Sequence, residues 1–400
     1  MEWKITNIGS LCDRVCSGGT PKSTNNAYYN GNIPWLNTKE VNFNRIYDTE
    51  KNITQLGLEN SSAKWISENS VIVAMYGATA GKVAITKIPI TTNQACCNLS
   101  INSEIADYNF VYYFLCSKFY ELSSLANGGA QQNLNAQIIK DFPIKIPVNL
   151  SDQKKIAGIL SALDSKIENN NKINANLEAQ AEALFKSWFV DFTPFKDQPF
   201  VDSELGPIPQ GWKVGKLGDY VEIKRGGSPR PIQKFLASQG LNWLKISDAT
   251  STQSPFIFNI KEKIIIDGLK KTVFLKAGSL VLSNSATPCI PKFLSIDSCI
   301  HDGWLYFPHS QLPENYLYLF FKLMRNNLVS KANGSVFLNL KTDIVKNQVF
   351  AFSGEEIYNS FDKIIAPLFK EIENLTYETF QLSALRDTLL PKLMSGEIKL

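Results

Sequence analysis

The stretch AMYGATAGKVAI, residues 74–85, places Gly77, Gly81 and Lys82 at a spacing close to that of a phosphate-binding loop. In the pattern G-x-x-x-x-G-K-[ST], four intervening residues shape a nest of backbone N–H groups. The lysine reaches the terminal phosphates and the hydroxyl holds magnesium. Here only three residues separate the glycines, and Val83 stands where the hydroxyl is needed. Two readings remain: a Gly-rich turn between strands with Lys82 on the surface, or a backbone that approaches a phosphate other than a nucleotide's. His301 and Asp302, adjacent in HDGW, have the chemistry of an acid–base pair. The seven cysteines include no C-x-x-C, and the chain has only two histidines, His301 and His309. A structural zinc site wants four well-spaced ligands, so none is expected, and the cysteines read as small buried apolar residues. No Pro-Pro pair occurs, which excludes the [NDS]-P-P-[YFW] tetrad of an adenine methyltransferase, and no compact carboxylate cluster suggests a nuclease. No catalytic residue, metal or cofactor is expected on this chain.

Bulk properties set the class. A 400-residue chain with 44% hydrophobic residues can form two to three domains with real cores. A net charge of +4 permits a nucleic-acid partner without requiring one. No apolar run approaches the ~18 residues of a membrane span. The opening MEWKITNIGSL lacks the features of a signal peptide, so the expected location is cytoplasmic.

The elements that position these residues come in duplicate. Trp3 and Gly9 recur as Trp212 and Gly218, and Gly18-Gly19-Thr20-Pro21 recurs as Gly226-Gly227-Ser228-Pro229. IPWLNTKEV (33–41) matches LNWLKISDA (241–249), and ENSVIVAMY (68–76) matches AGSLVLSNS (277–285). TTNQACCNL (91–99) lies opposite CIHDGWLYF (299–307), and ANGGAQQNLNAQIIKDF (126–142) opposite ANGSVFLNLKTDIVKNQ (332–348). Order is kept while the offset drifts slowly, the signature of an internal repeat. His301 and Asp302 fall opposite Asn93 and Gln94, so an acid–base pair would exist in one copy only.

Each copy begins with short β-like runs, such as Val71–Ala74, Lys82–Thr86, Lys263–Ile266 and Ser279–Leu282, and ends in a long helix. The expected helices run over about 151–189, with Ser151 as N-cap, and about 354–395. Ile156, Leu160, Leu163, Ile167, Asn170, Asn174, Leu177, Ala181, Leu184 and Trp188 alternate steps of four and three. So do Ile357, Phe361, Ile364, Leu368, Glu371, Leu375, Glu378, Leu382, Leu385 and Leu389. Such spacing makes a narrow seam for one partner helix, and its polar members fix register. The expected architecture is α+β: two β-rich domains joined by a long antiparallel coiled-coil pair, with an internal pseudo-twofold repeat. Its parts are a first domain at 1–150, a helix region at 151–200, a second domain at 201–352 and a second helix region at 353–400. A 40-residue helix spans ~60 Å, a scale that suits DNA half-sites ~34 Å apart.

Framework positions agree between the copies while polar turn positions differ: STNNAYYNG against IQKFLASQG, NTKE against KISD, YGATAGKV against SATPCIPK. A common scaffold with different loops suits two modules with two targets. On the W…LG openings followed by GG[TS]P, the run GATAGKVAI…NQA, HDGWLYF, the mid-chain ALFKSWFVDFTPF and the terminal LRDTLLPKLMSGEI, the chain resembles the DNA-specificity (S) subunits of type I restriction–modification systems over nearly its whole length. The resemblance implies two target-recognition domains, each reading one half of a bipartite, asymmetric site in double-stranded DNA. It implies helices that set the spacing and dock two modification (methyltransferase) subunits, with S-adenosylmethionine bound by those partners, and restriction subunits joining to translocate and cut.

Side chains that hold base edges or phosphates are then expected at Gly18, Gly19, Thr20, Lys22, Lys39, Thr79, Lys82, Asn93, Gln94, Gln131, Gln132 and Asn133 in the first module. In the second they are expected at Arg225, Gly227, Ser228, Arg230, Lys245, Asn284, Ser285, Lys292, His301, Asp302, Asn333 and Ser335. Partner docking is expected on exposed helix faces and at LFKSWFVDF and LLPKLMSGEI. The competing reading is a coiled-coil adaptor whose modules bind peptide or carbohydrate.

Overall fold

Residues Val71–Ala74, Val-Ile-Val-Ala, form a strand whose four side chains are all buried, as expected of a strand covered on both faces. Alternation divides them. Val71 and Val73 join Val83 and Ile85 in one core with Phe110, Val111 and Leu115 of helix Tyr108–Ser117. Ile72 and Ala74 face the other way, with Ala84, Leu36 and Ile46. The computed structural model describes residues 1–127, 134–331, 339–398 and 400. It resolves into two compact units: Met1–Lys166 with Leu382–Leu400, and Ile167–Gln381.

In the first unit, strand Trp3–Asn7 pairs antiparallel with Pro143–Pro147. A five-stranded sheet has the order Cys12–Ser17, Cys96–Ile101, Val71–Ala74, Val83–Thr86, Asn44–Ile46. A second sheet sets Tyr29–Leu36 between Asn52–Ile53 and Thr91–Thr92. The second unit repeats the plan. Lys213–Lys216 pairs with Val349–Phe352. Its first sheet has the order Lys224–Arg225, Trp304–Tyr306, Leu280–Ser283, Pro291–Leu294, Phe256–Ile257. The register repeats as well: Trp35 lies parallel opposite Thr91, and Trp243 parallel opposite Cys299. The run Lys263–Ile266 is a strand only over Lys263–Ile264, because Ile266–Lys271 turns into a 3₁₀ helix.

The long helices span Leu150–Phe189, 40 residues, and Glu355–Ser395, 41 residues. Within the second unit they run antiparallel. Asn170 Nδ2 donates to Glu378 Oε2 at 2.7 Å, Asn174 Nδ2 to Thr376 Oγ1 at 3.2 Å, and the rings of Phe189 and Tyr358 stack 5.5 Å apart. Within the first unit Arg386 donates to Asp164 at 3.0 Å, and Asp164 also accepts from the Tyr113 hydroxyl at 2.7 Å.

The strict seam needs correction. Ile364 and Leu385 are exposed, at 45% and 47%, and Glu371 is exposed too. The expected seam positions Phe361 and Leu375 are buried, but so are Tyr358, Ile365, Phe369 and Ile372 outside it. These four and Phe361 pack with Tyr316, Tyr318 and Phe320 of helix Glu314–Ser330 as well as with Phe185. A helix that covers a globular core and a partner helix together needs an apolar stripe wider than a coiled-coil seam. The aromatic run LFKSWFVDF behaves likewise. Phe185, Trp188 and Phe189 pack against Phe361, and Leu393 and Met394 of LLPKLMSGEI are buried in the first unit's core. Phe185, Leu393 and Met394 thus close cores, while Val190 of the first run stays exposed.

Candidate nucleic-acid interface

The GG[TS]P turns are built alike. A Cβ on Gly18 would lie 2.1 Å from the Thr92 carbonyl oxygen, and one on Gly226 would lie 2.3 Å from that of His301. Gly19 N–H donates to Thr92 O at 2.9 Å, and Gly227 N–H to Ile300 O at 3.3 Å. Gly19 O in turn accepts from the Trp35 indole at 2.9 Å. The glycines let two backbones touch. What they carry outward is the next residue's hydroxyl. Thr20 Oγ1 meets the Gln94 side-chain oxygen, and Ser228 Oγ donates to Asp302 Oδ1 at 2.6 Å. A third repeated device stands beside them. The Asn37 N–H is capped by Glu40, and the Lys245 N–H by Asp248, each at 2.9 Å.

In the second module charged groups gather around this point. Arg230 reaches Asp302 Oδ2 at 3.0 Å, and Arg225 Nε donates to the Asp302 carbonyl. Lys245 is paired with Glu262. The Ser228 hydrogen bond, helped by Arg225 and Arg230, holds the Asp302 carboxyl below its ordinary range. Burial depresses the His301 imidazole, with Lys245 and Arg225 acting in the same direction against Asp302. His301 Nδ1 accepts the Gly303 N–H at 2.8 Å. A neutral imidazole with that nitrogen occupied is a positioned polar group. Arg230, Trp243, Lys245, Glu262 and His301 border a cleft of about 790 Å³.

A family model described as the type I restriction modification DNA specificity domain matches residues 1–179 and 209–380. The chain belongs to this family. The type I restriction enzyme MjaIX specificity subunit of Methanocaldococcus jannaschii is 28% identical, over 100% of this chain and 94% of that protein. The HindI specificity subunit of Haemophilus influenzae is 23% identical, over 99% of this chain and 100% of its own. The crystal structure of a type I restriction–modification S subunit from M. genitalium has a TM-score of 0.62 at 16% identity, covering 98% of this chain and 96% of that one. It shares the fold.

Within this specificity-domain scaffold the predicted contact residues divide by accessibility. Thr20, Lys22, Lys39, Gln94, Arg225 and Arg230 are exposed; Thr79, Lys82, Gly227, Ser228, Lys245, Ser285, His301 and Asp302 are half-buried. Gln131, Gln132, Asn133, Asn333 and Ser335 lie outside the described residues, as do the Asn-Gly turns at 127–128 and 333–334 in part.

Five assignments are corrected, because these residues are buried inside the modules. Gly18 and Gly19 are buried against backbone. Asn93 is 8% exposed, and its Oδ1 accepts from the Ala95 N–H. Asn284 occupies the position of buried Met75: Met75 O accepts from Leu134 N–H, and Asn284 O from Leu340 N–H. Lys292 is 4% exposed and donates to the carbonyls of Thr252 and Ser254. It is not the counterpart of Lys82 either. Val73 pairs with Val83 and Leu282 with Pro291, so Lys292 replaces Ala84 within the strand.

The loop that resembles a phosphate cradle is closed upon itself. The N–H groups of Ala80, Gly81 and Lys82 donate to the carbonyls of Gly77, Ala74 and Thr79. Gly81 needs its positive φ of 85°, and Cys289 holds the equivalent place at 62°. Lys82 Nζ donates to Asn42 Oδ1 at 2.7 Å. What remains is a half-buried lysine on a turn whose last three N–H groups are spent within it. Sequence reasoning missed the carboxylates Glu50 and Glu262 that neutralise Lys39 and Lys245. Nothing in local spacing announces such pairs. Among the described residues no group of three or more His, Cys, Asp or Glu could hold a metal, and no helix is long and apolar enough to cross a membrane.

Proposed function

We propose that this chain is the sequence-specific DNA-binding subunit of a type I restriction–modification complex, without a catalytic site of its own. Each module, 1–150 and 201–352, reads one half of a bipartite, asymmetric site in double-stranded DNA. The helix regions 151–200 and 353–400 set the spacing. Two modification subunits dock on exposed helix positions such as Tyr377 and Phe380, at 47% and 42% exposure, and bring S-adenosylmethionine; restriction subunits join to translocate and cut. The complex acts in the cytoplasm, where its DNA is.

The observation that carries this reading is the pairing of like scaffolding with unlike side chains at equivalent positions. Thr20 meets Gln94 where Ser228 meets Asp302, and Asn37 stands where Lys245 does. A neutral amide and a carboxylate offer different donor and acceptor patterns to a base edge. The contacts proposed in the first module are Thr20, Lys22, Lys39, Thr79, Lys82 and Gln94. In the second they are Arg225, Gly227, Ser228, Arg230, Lys245, Ser285, His301 and Asp302.

Reconstitution with modification subunits and S-adenosylmethionine should methylate one bipartite sequence, read by sequencing the methylated DNA. Affinity should fall steeply with salt, because phosphate contacts release counterions. A complex that modifies no sequence and binds indifferently to salt would return the chain to the adaptor reading. Replacing residues 1–150 by a foreign recognition domain should alter one half-site only.

A further inference from the structure

Arg230 is the most informative cation of the second module, because it is both exposed and held. Its side chain is 78% accessible, yet one terminal nitrogen is fixed 3.0 Å from Asp302 Oδ2. Asp302 is fixed in its turn: Oδ1 accepts from Ser228 Oγ at 2.6 Å, and its own N–H lies 3.3 Å from the same hydroxyl. The Gly226-Gly227 turn that carries Ser228 is locked against the Ile300 and His301 backbone. A guanidinium carries five N–H donors in a rigid planar fork. One contact to a carboxylate leaves the remaining edge of the fork pre-aimed and unspent.

The neighbouring carboxylate also selects what that edge can take. Asp302 offsets the charge of Arg230, while Arg225 is engaged at the Asp302 carbonyl, so a phosphate gains less at this edge than at a lone guanidinium and the donors stay in place. A neutral partner with two adjacent acceptors fits best, and among base edges in the major groove guanine O6 and N7 supply that pair. We infer that Arg230, positioned by Asp302 and Ser228, reads a guanine in the half-site of the second module. The inference rests on the DNA-binding function proposed above. The first module lacks the device. Lys22 occupies the place of Arg230 and Gln94 that of Asp302, so a point charge and a neutral amide replace the buttressed fork. The two half-sites should differ at this step.

The test uses the full chain assembled with modification subunits, with methylated motifs and competition binding read for wild type, Arg230→Ala and Asp302→Asn. For Arg230→Ala, one guanine position in one half-site should become degenerate. Discrimination there should fall about ten- to a hundred-fold, the range of a bidentate contact, while the other half-site is unchanged. Asp302→Asn, which keeps the shape and an acceptor for Ser228, should relax that same position by a smaller factor. Its unfolding midpoint, taken alongside, separates a loss of aim from a loss of fold. Uniform weakening on all sequences with a shallower salt slope would make Arg230 a phosphate contact and overturn the assignment. So would relaxation at a position other than guanine, or an unaltered motif in Arg230→Ala. A wild-type complex with no sequence preference would instead bring down the DNA reading itself, and this assignment with it.

Discussion

In the first module a threonine hydroxyl meets a glutamine 74 residues further on; in the second a serine hydroxyl meets an aspartate across the same interval. Around that contact the backbones agree in the order of one five-stranded sheet, in the register of Trp35 and Trp243, and in the close approach of the first glycine of each turn. The side chains do not agree. Gln94 faces a module with Lys22, whereas Asp302 gathers Arg225 and Arg230. Buried positions diverge too: Ala84 of one sheet is Lys292 in the other. Backbone contact is therefore the conserved part of the repeat, and side-chain chemistry, inside and out, is the part free to change.

The sharpest test of a shared skeleton is at the glycines. Gly18→Ala and Gly226→Ala place a methyl 2.1 and 2.3 Å from carbonyl oxygens that cannot move independently. Each should cost about 3 kcal/mol or more, among the largest single-site effects, seen as a lowered urea midpoint. The second glycines should part ways. Gly19→Ala meets backbone at 2.3 Å and should be nearly as damaging, whereas the nearest atom to Gly227→Ala is at 3.0 Å and should cost only about 1 kcal/mol. Equal losses at Gly19 and Gly227 would mean that the turns are more alike than their contacts.

Lys292 tests the divergence inside. Burial lowers its pKa to about 8 from 10.5. Between those values the unfolded chain binds a proton that the folded chain lacks, so stability rises with pH through that window. Below about 8 the folded state carries the buried charge and the penalty is complete. Wild type should therefore gain on Lys292→Met by on the order of 3 kcal/mol between pH 8 and 10.5, in paired denaturation curves. Parallel curves would show that Thr252 and Ser254 compensate the charge fully.

Transplanting the outward difference should have a smaller effect. Lys22→Arg with Gln94→Asp installs the second module's pair on the first module's scaffold. The first half-site should shift toward guanine at one position by about five- to ten-fold in binding competition, with the second half-site unchanged. A shift in both would break the independence of the modules. The smallest effect is expected at Gly77. Its φ is 73°, but no atom lies within 4 Å of an added methyl, so Gly77→Ala should cost about 1 kcal/mol of backbone strain and leave the salt dependence of DNA binding unchanged.

The repeat, the alternating buried strands and the two long helices were legible in the chain, because tryptophans, glycine turns and apolar periodicity answer to local geometry that acts at every copy. The breadth of the helix stripe was not legible. A 4/3 rhythm specifies a face, but Tyr358, Ile365 and Phe369 are buried by helix Glu314–Ser330, which no local spacing relates to them. The contact surface was half legible for the same reason. Residue type nominated Lys292 and Asn284 as readily as Arg230, and only folding put the first two inside and left the third outside beside Asp302. By itself the sequence determined that two like modules exist and where their turns fall, since a β-carbon either fits a backbone contact or does not. Which polar groups remain free for a partner was decided by tertiary structure, because a hydrogen bond closed across 40 or 74 residues removes a donor from the surface without leaving a trace in its neighbours.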